Sequence, residues 1–287
     1  MTDTCTDPIG EMKDDPVSRL FFSHFRISSG DPDRDMLRSV ITHFAEIPYE
    51  NLTKIITKFT IEEPDERLRD PEEVLRGFIE NHTGGTCFSL TWCLGAILSG
   101  AGFRCYPVMA DMKRANVHCA LVVHIGDRRF FVDPGYLLGE PVQLTALPVS
   151  VETSFGKVEL RPGGTSSYDL FTVAGTEKKW RYRVRTTPVP VPLFIRYWKE
   201  SFSLPMMNSL QLTRLTGNGH LYIKNHHLRL RKGDRKLNEN IRAGLHARIE
   251  SEFGIPPEIT TQAQEYIERM KEGWRIRKRE GHRKGLR

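Results

Sequence analysis

Apolar positions recur at helical spacing through the first part of the chain and switch to alternation in its middle. Leu37, Val40, Ile41 and Phe44 form one helical stripe and Val74, Leu75 and Phe78 a shorter one, so residues 15 to about 80 read as helices interrupted at Ile47-Pro48. Cys87 opens an apolar helical stretch that ends near Ser99-Gly100. From Phe103 to about Arg185 the pattern becomes strand-like, with breakers such as Arg161-Pro162-Gly163-Gly164, and Pro188-Val189-Pro190-Val191-Pro192 then reads as a stiff linker. Beyond it, Leu210 to Arg214, His220 to Ile223 and His227 to Arg231 read as strands joined by turns at Gly217-Asn218-Gly219 and Lys224-Asn225. Ile241, Leu245, Ile249 and Phe253 then make an apolar helical stripe that stops at Gly254 and Pro256-Pro257. The stripes are core rather than sites. No repeat is visible, and Gly217-Asn218-Gly219 lacks the following helix that a phosphate loop needs.

The alternation has one consequence for chemistry. Asn116 to Ile125 places Val117, Cys119, Leu121, Val123 and Ile125 on one face and His118, Ala120, Val122 and His124 on the other, a half-buried strand. Gly126-Asp127 reads as a two-residue hairpin turn into a second strand, Arg128 to Val132, which pairs Ile125 with Arg128 and, by counting back, Ala120 with Asp133. His118 and Asp133 then share a sheet face as diagonal neighbours, roughly 7–8 Å apart along the backbone and within side-chain reach.

A thiol stands ready for that pair. Thr83-Gly84-Gly85-Thr86-Cys87-Phe88 runs a glycine pair into a helix start, where unpaired N–H groups favour thiolate and can also stabilise an oxyanion. Cys87 is the candidate nucleophile, His118 the base and Asp133 the group that holds the imidazole's tautomer. Each residue alone has an ordinary alternative: a cysteine in an apolar segment is commonly a core residue, a strand histidine a structural one, and Asp before Pro-Gly a turn former. Cys93, Cys105 and Cys119 fit the core reading, Cys119 because it points away from the His118 face. The joint arrangement favours catalysis.

At these residues the chain resembles the arylamine N-acetyltransferases. Gly84-Gly85-Thr86-Cys87, His118-Cys119-Ala120-Leu121 and Phe131-Val132-Asp133-Pro134-Gly135-Tyr136 are similar to that family's three signature segments, and Phe25-Arg26-Ile27 and His43 to Leu52 to its N-terminal segment. The resemblance implies an α+β fold with a papain-like cysteine-enzyme core: a helical domain (1–85), a catalytic-helix and β-barrel domain (86–192), an α/β lid (193–270) and a basic C-terminal tail (271–287). It also implies transfer of an acetyl group from acetyl-CoA through Cys87 to an arylamine, hydrazine or hydroxylamine, with Phe88 and Tyr136 lining the acceptor cleft. The chain departs from the family at Thr83, where an arginine is usual, at Ser89 and Thr91, where Glu and Asn are usual, and at Leu137, where a glycine is usual. Glu50 thereby loses its expected buried cationic partner. Because the departures fall where the donor site should be, a carrier-bound or intramolecular acyl donor stays open, as do hydrolysis by the same triad and a scaffold without activity.

Composition narrows the setting. At 287 residues and 39% hydrophobic content the chain has ample core for two or three packed subdomains. Five scattered cysteines without metal-finger spacing predict reduced thiols in the cytoplasm and neither disulfides nor zinc, and the paired histidines His118/His124 and His226-His227 lack a carboxylate cluster to make a metal site. The acidic N-terminus predicts no signal peptide, and no apolar run reaches the roughly 18 residues of a membrane helix. The net charge of +6 is local: Lys271–Arg287 holds 8 basic and 2 acidic residues, so the remainder carries 34 of each sign. That segment reads as a solvated, disordered tail that could touch CoA phosphates, and with only Trp274 available for stacking it makes nucleic-acid binding unfavoured.

Overall fold

A computed structural model describes residues 15–284 except 155, 175, 218 and 233–234, with side chains described as far as 273 and not at 174. Four short helices lead to a central one: α1 (Pro16–Phe25), α2 (Arg34–Phe44), α3 (Leu52–Thr60), α4 (Pro71–Asn81) and α5 (Cys87–Gly100). The starts of α1, α2 and α4 are set by Asp15, Asp33 and Asp70, whose side chains accept from the first-turn N–H groups; Asp70 and Glu73 complete a reciprocal capping box. The predicted stripes are buried at Leu37, Val40, Ile41 and Phe44 and at Val74 and Leu75. On α5, 11 of 14 residues are buried, so it runs through the interior and not along the surface.

The middle of the chain is antiparallel. β2 (Arg104–Asp111), β3 (His118–Ile125), β4 (Arg128–Val132), β5 (Val142–Gln143), β6 (Val149–Thr153), β7 (Gly156–Gly164), β8 (Ser167–Ala174) and β9 (Glu177–Arg185) form one eight-stranded sheet in the order β5-β4-β3-β2-β9-β8-β7-β6. β5 and β6, at its two ends, return into contact, so the sheet is a nearly closed barrel. The hairpin register is the predicted one: Ile125 faces Arg128, Leu121 faces Val132, and Gly126 turns at φ 55. The expectation of a half-buried β3 does not hold, because His118 to Val123 are buried on both faces. Leu121 and Val123 pack with α5 residues such as Leu90 and Leu94, whereas Ala120 and Val122 pack among barrel residues such as Leu170 and Tyr182. Nor does Pro162-Gly163 end a strand; β7 runs through it with a register shift between Pro162 and Gly164, the bulge that proline and glycine permit.

The third part closes back on the first. Pro190 leads directly into a helix that the sequence pattern does not predict, α6 (Val191–Glu200), with proline in its first turn where a missing N–H costs nothing. β10 (Gln211–Thr216), β11 (Gly219–Lys224), β12 (His227–Lys232) and β13 (Arg235–Asn240) form a second sheet, completed by the two-residue strand β1 (Tyr49–Glu50) on β10. Thus Tyr49 pairs with Thr213 and Glu50 with Leu212, and the Asn51 amide donates to the carbonyls of Met206 and Ser209 at 2.9 and 2.8 Å. α7 (Leu245–Phe253) stops at Gly254, φ 76, as its glycine predicts. α8 (Pro257–Lys284) takes in residues 271–284, and its start is anchored by buried Ala263 and Ile267. Arg, Lys and Glu propagate a helix readily once it is anchored. Residues 285–287 lie outside the described residues. Among the described residues no helix is long and apolar enough to cross a membrane.

Candidate active site

Cys87 is the first residue of α5, after Thr86 in extended conformation whose hydroxyl makes no capping bond. The first-turn N–H groups therefore face the thiol without a competing side-chain acceptor. The glycines before it are required by contact with protein. A Cβ on Gly84 would lie 1.8 Å from the Pro48 carbonyl oxygen, and one on Gly85 would lie 2.1 Å from Ser89 Oγ. The Gly85 carbonyl in turn accepts from Glu50 N at 2.9 Å, which fixes the approach to Cys87 on β1.

The hairpin delivers the other two residues. His118 Nε2 and Asp133 Oδ2 are 2.7 Å apart, both nearly sealed from solvent. Because Nε2 faces Asp133, Nδ1 is the ring nitrogen left for a thiol. Asp133 is over-determined: Oδ1 accepts from Tyr136 N at 2.8 Å, and Oδ2 also accepts from the hydroxyl of Tyr182 on β9. The Tyr182 ring lies 4.9 Å from the His118 ring, so one residue braces both members of the pair. Gly135 seats against the site, since a Cβ there would meet Cys87 Cβ at 2.5 Å and His118 Cε1 at 3.1 Å.

Electrostatics follow from these contacts. A hydrogen bond from Cys119 does most to hold the Cys87 thiol well below its usual range; burial opposes it, and the hydrogen bond and charge of His118 and the charge of Lys54 assist. Burial alone would lower His118, yet Asp133 and the Cys87 thiolate together push it up to about 10. Cys119 moves the other way, raised by its burial and by its neighbour Cys87. Both shifts favour a Cys87 thiolate beside a His118 imidazolium. Lys54 on α3 is 5% exposed, donates to Ser201 Oγ, and sits 4.6 Å from the Phe202 ring and 5.9 Å from the Phe88 ring. Burial lowers it to about 8, partly offset by Cys87 and Cys119.

These groups set a pH expectation. Iodoacetamide should alkylate Cys87 at a rate that stays level from pH 9 down through neutrality and falls only below the depressed thiol pKa, whereas an ordinary thiol loses reactivity below about 8.5. Lys54→Met removes a positive charge near the thiolate, so the acid limb should move up, by at most on the order of one unit, and alkylation on that limb should slow by up to about tenfold. An unmoved limb would remove Lys54 from the account. Cys93, its thiol raised by burial, and Cys105 should label slowly; both are sealed in the core.

Other contacts of the site are not foreseeable from the sequence pattern. Cys119 does lie on the strand face opposite His118, but the start of α5 lies against the start of β3, so Cys87 meets both residues. Phe88 is fully buried, 5.3 Å from the Phe194 ring and 6.4 Å from the Trp198 ring, on the helix α6 that the pattern does not reveal. Tyr136 is half-buried against Tyr182, its hydroxyl pushed up to about 12 chiefly by burial. Of the departing residues, Ser89 Oγ donates to Thr86 O at 3.1 Å, and Thr91 lies 3.5 Å from Cys119 Sγ. Among the described residues no group of three or more His, Cys, Asp or Glu is placed to hold a metal.

Comparison with known proteins decides the family. The sequence profile described as N-acetyltransferase matches residues 33–258. The chain belongs to the arylamine N-acetyltransferase family. The fold is similar to that of the arylamine N-acetyltransferase from Mycobacterium abscessus, with TM-score 0.74 and 19% identity over 87% of this chain and 94% of that one. It is similar to arylamine N-acetyltransferase C from Bacillus anthracis, at TM-score 0.69 and 21% identity over 84% and 99% of the two chains. The Mycobacterium marinum enzyme in complex with CoA aligns at TM-score 0.72 and 17% identity over 87% and 97%. A search of curated proteins finds no match. Membership makes the protein an acetyltransferase with acetyl-CoA as cosubstrate, and the α+β expectation agrees with these structures.

Proposed function

We propose that the protein carries an acetyl or short acyl group from a CoA thioester to an arylamine, hydrazine or hydroxylamine by way of a thioester on Cys87. The observation that carries this reading is the buried His118–Asp133 pair at 2.7 Å with the depressed Cys87 thiol beside it. The Cys87 thiolate attacks the donor carbonyl, and N–H groups at the start of α5 receive the developing oxyanion. Collapse expels the CoA thiolate, which takes the proton from His118. The amine then attacks the acyl-cysteine, His118 accepts its proton, and the Cys87 thiolate is restored. Asp133 holds the ring, braced by Tyr182. Phe88, through its cluster with Phe194 and Trp198, and Tyr136 are the aromatic walls proposed for the acceptor.

Donor and acceptor then never need to be bound together. Initial rates against acetyl-CoA and an arylamine should give the parallel double-reciprocal lines of a ping-pong scheme. Intersecting lines would require a ternary complex and would remove the acyl-cysteine.

A further inference from the structure

The chain has Thr83 where the resemblance places an arginine, and a cation from elsewhere fills that space. Arg69, just before the capping box of α4, folds its side chain back along the helix. Its Nη2 donates to Glu73 O at 2.6 Å, and its Nη1 donates to Gly84 O at 2.6 Å and to Thr53 Oγ1 at 3.2 Å. Thr53 passes the contact on: its hydroxyl donates to Glu50 Oε1 at 2.6 Å and its N–H to Glu50 Oε2 at 3.0 Å. Glu50 is fully buried, and its own N–H holds Gly85 O. Arg69 therefore closes a loop of hydrogen bonds around Gly84-Gly85, the segment that presents Cys87.

Gly77 shows that the space is shared. A Cβ at this position inside α4 would lie 2.6 Å from Arg69 Nη2 and 2.8 Å from Thr83 Oγ1, so the guanidinium and the Thr83 hydroxyl occupy one niche over a helix residue that has no side chain. Glycine inside a helix costs about 1 kcal/mol against alanine, which is the reverse of what helix stability would select. The open niche serves the arginine.

We infer that Arg69 is a positioning residue that replaces, from a different place in the chain, the cation missing at Thr83, and sets the backbone of Gly84-Gly85 so that the first turn of α5 faces the Cys87 thiolate. This rests on the reading of Cys87 as nucleophile. Displacing the guanidinium should let that backbone drift, and a shift near 1 Å at a reacting group costs up to about a hundredfold.

The test uses the full-length chain and four proteins: wild type, Arg69→Ala, Arg69→Ala with Thr83→Arg, and Gly77→Ala. Arg69→Ala should lower kcat for arylamine acetylation by about ten- to a hundredfold while circular dichroism stays native, and should shift the acid limb of Cys87 alkylation upward. Thr83→Arg in that background should restore both to within about fivefold, returning the guanidinium from the other side of the niche. Gly77→Ala, a better helix former, should lose activity without losing thermal stability. Activity of Arg69→Ala within twofold of wild type, or a loss that Thr83→Arg leaves untouched, would overturn the assignment. Wild type that takes no acyl mass from acetyl-CoA would instead sink the acyl-transfer reading; the alkylation rates judge Arg69 without an acyl donor. Should Arg69→Ala fail to fold, Gly77→Ala and the double variant decide the role of Arg69 by the same two readouts.

Discussion

Replacing His118 with alanine is expected to slow acylation of Cys87 by on the order of 10²–10⁴, the usual contribution of a positioned base. In the proposed mechanism the loss has two sources. The imidazolium stabilises the thiolate directly, and it supplies the proton to the departing CoA sulfur. Asp133→Asn should act through the same ring, because the carboxylate Oδ2 is what fixes Nε2. The double variant should therefore fall only slightly below the worse single one; residues that work as a unit are strongly non-additive. Stopped-flow mixing with acetyl-CoA measures all three, and a double variant whose losses multiply in full would separate His118 from Asp133. Tyr182→Phe, which removes only the hydroxyl donated to Oδ2, should show a smaller loss of the same kind.

Gly135→Ala should be nearly as damaging for a steric reason. The added methyl would lie 2.5 Å from Cys87 Cβ and 2.9 Å from Cys87 Cα, distances at which backbone or nucleophile has to move. Overpacking of this kind costs about 1–3 kcal/mol. For a chain of this size that lowers Tm by several degrees, while kcat/KM should fall by about a hundredfold through misplacement of the thiol. Scanning calorimetry beside steady-state assays separates the two effects. An alanine variant with full activity would show that the loop at Gly135 does not position Cys87.

What the chain reveals in advance is what short-range geometry determines. A two-residue turn fixes a register, so the proximity of His118 to Asp133 follows from counting back from Gly126-Asp127, and the helix start at Cys87 from its flanking pattern. Contacts made by closure are not legible. Tyr182 reaches Asp133 across 49 residues only because the sheet curls into a barrel, and Lys54 lies under Phe88 only because α3 packs against the start of α5 and the segment after α6. Arg69 carries no signal either, since nothing in Leu68-Arg69-Asp70 distinguishes a clamp from a solvated loop arginine. The helix α6 is hidden by its prolines, which read as a linker but also suit a first turn, and β13 by a sequence polar at all but one position and exposed at every residue.

In the proposed mechanism the acyl group rests on Cys87. The most direct measurement is intact-protein mass after mixing with acetyl-CoA and no acceptor, followed by addition of an arylamine. The account predicts one added acetyl mass, mapped to Cys87, discharged to the amine within a turnover, and absent from Cys87→Ala. An unmodified mass with wild-type protein that nonetheless acetylates the amine, or an adduct that survives Cys87→Ala, would contradict it.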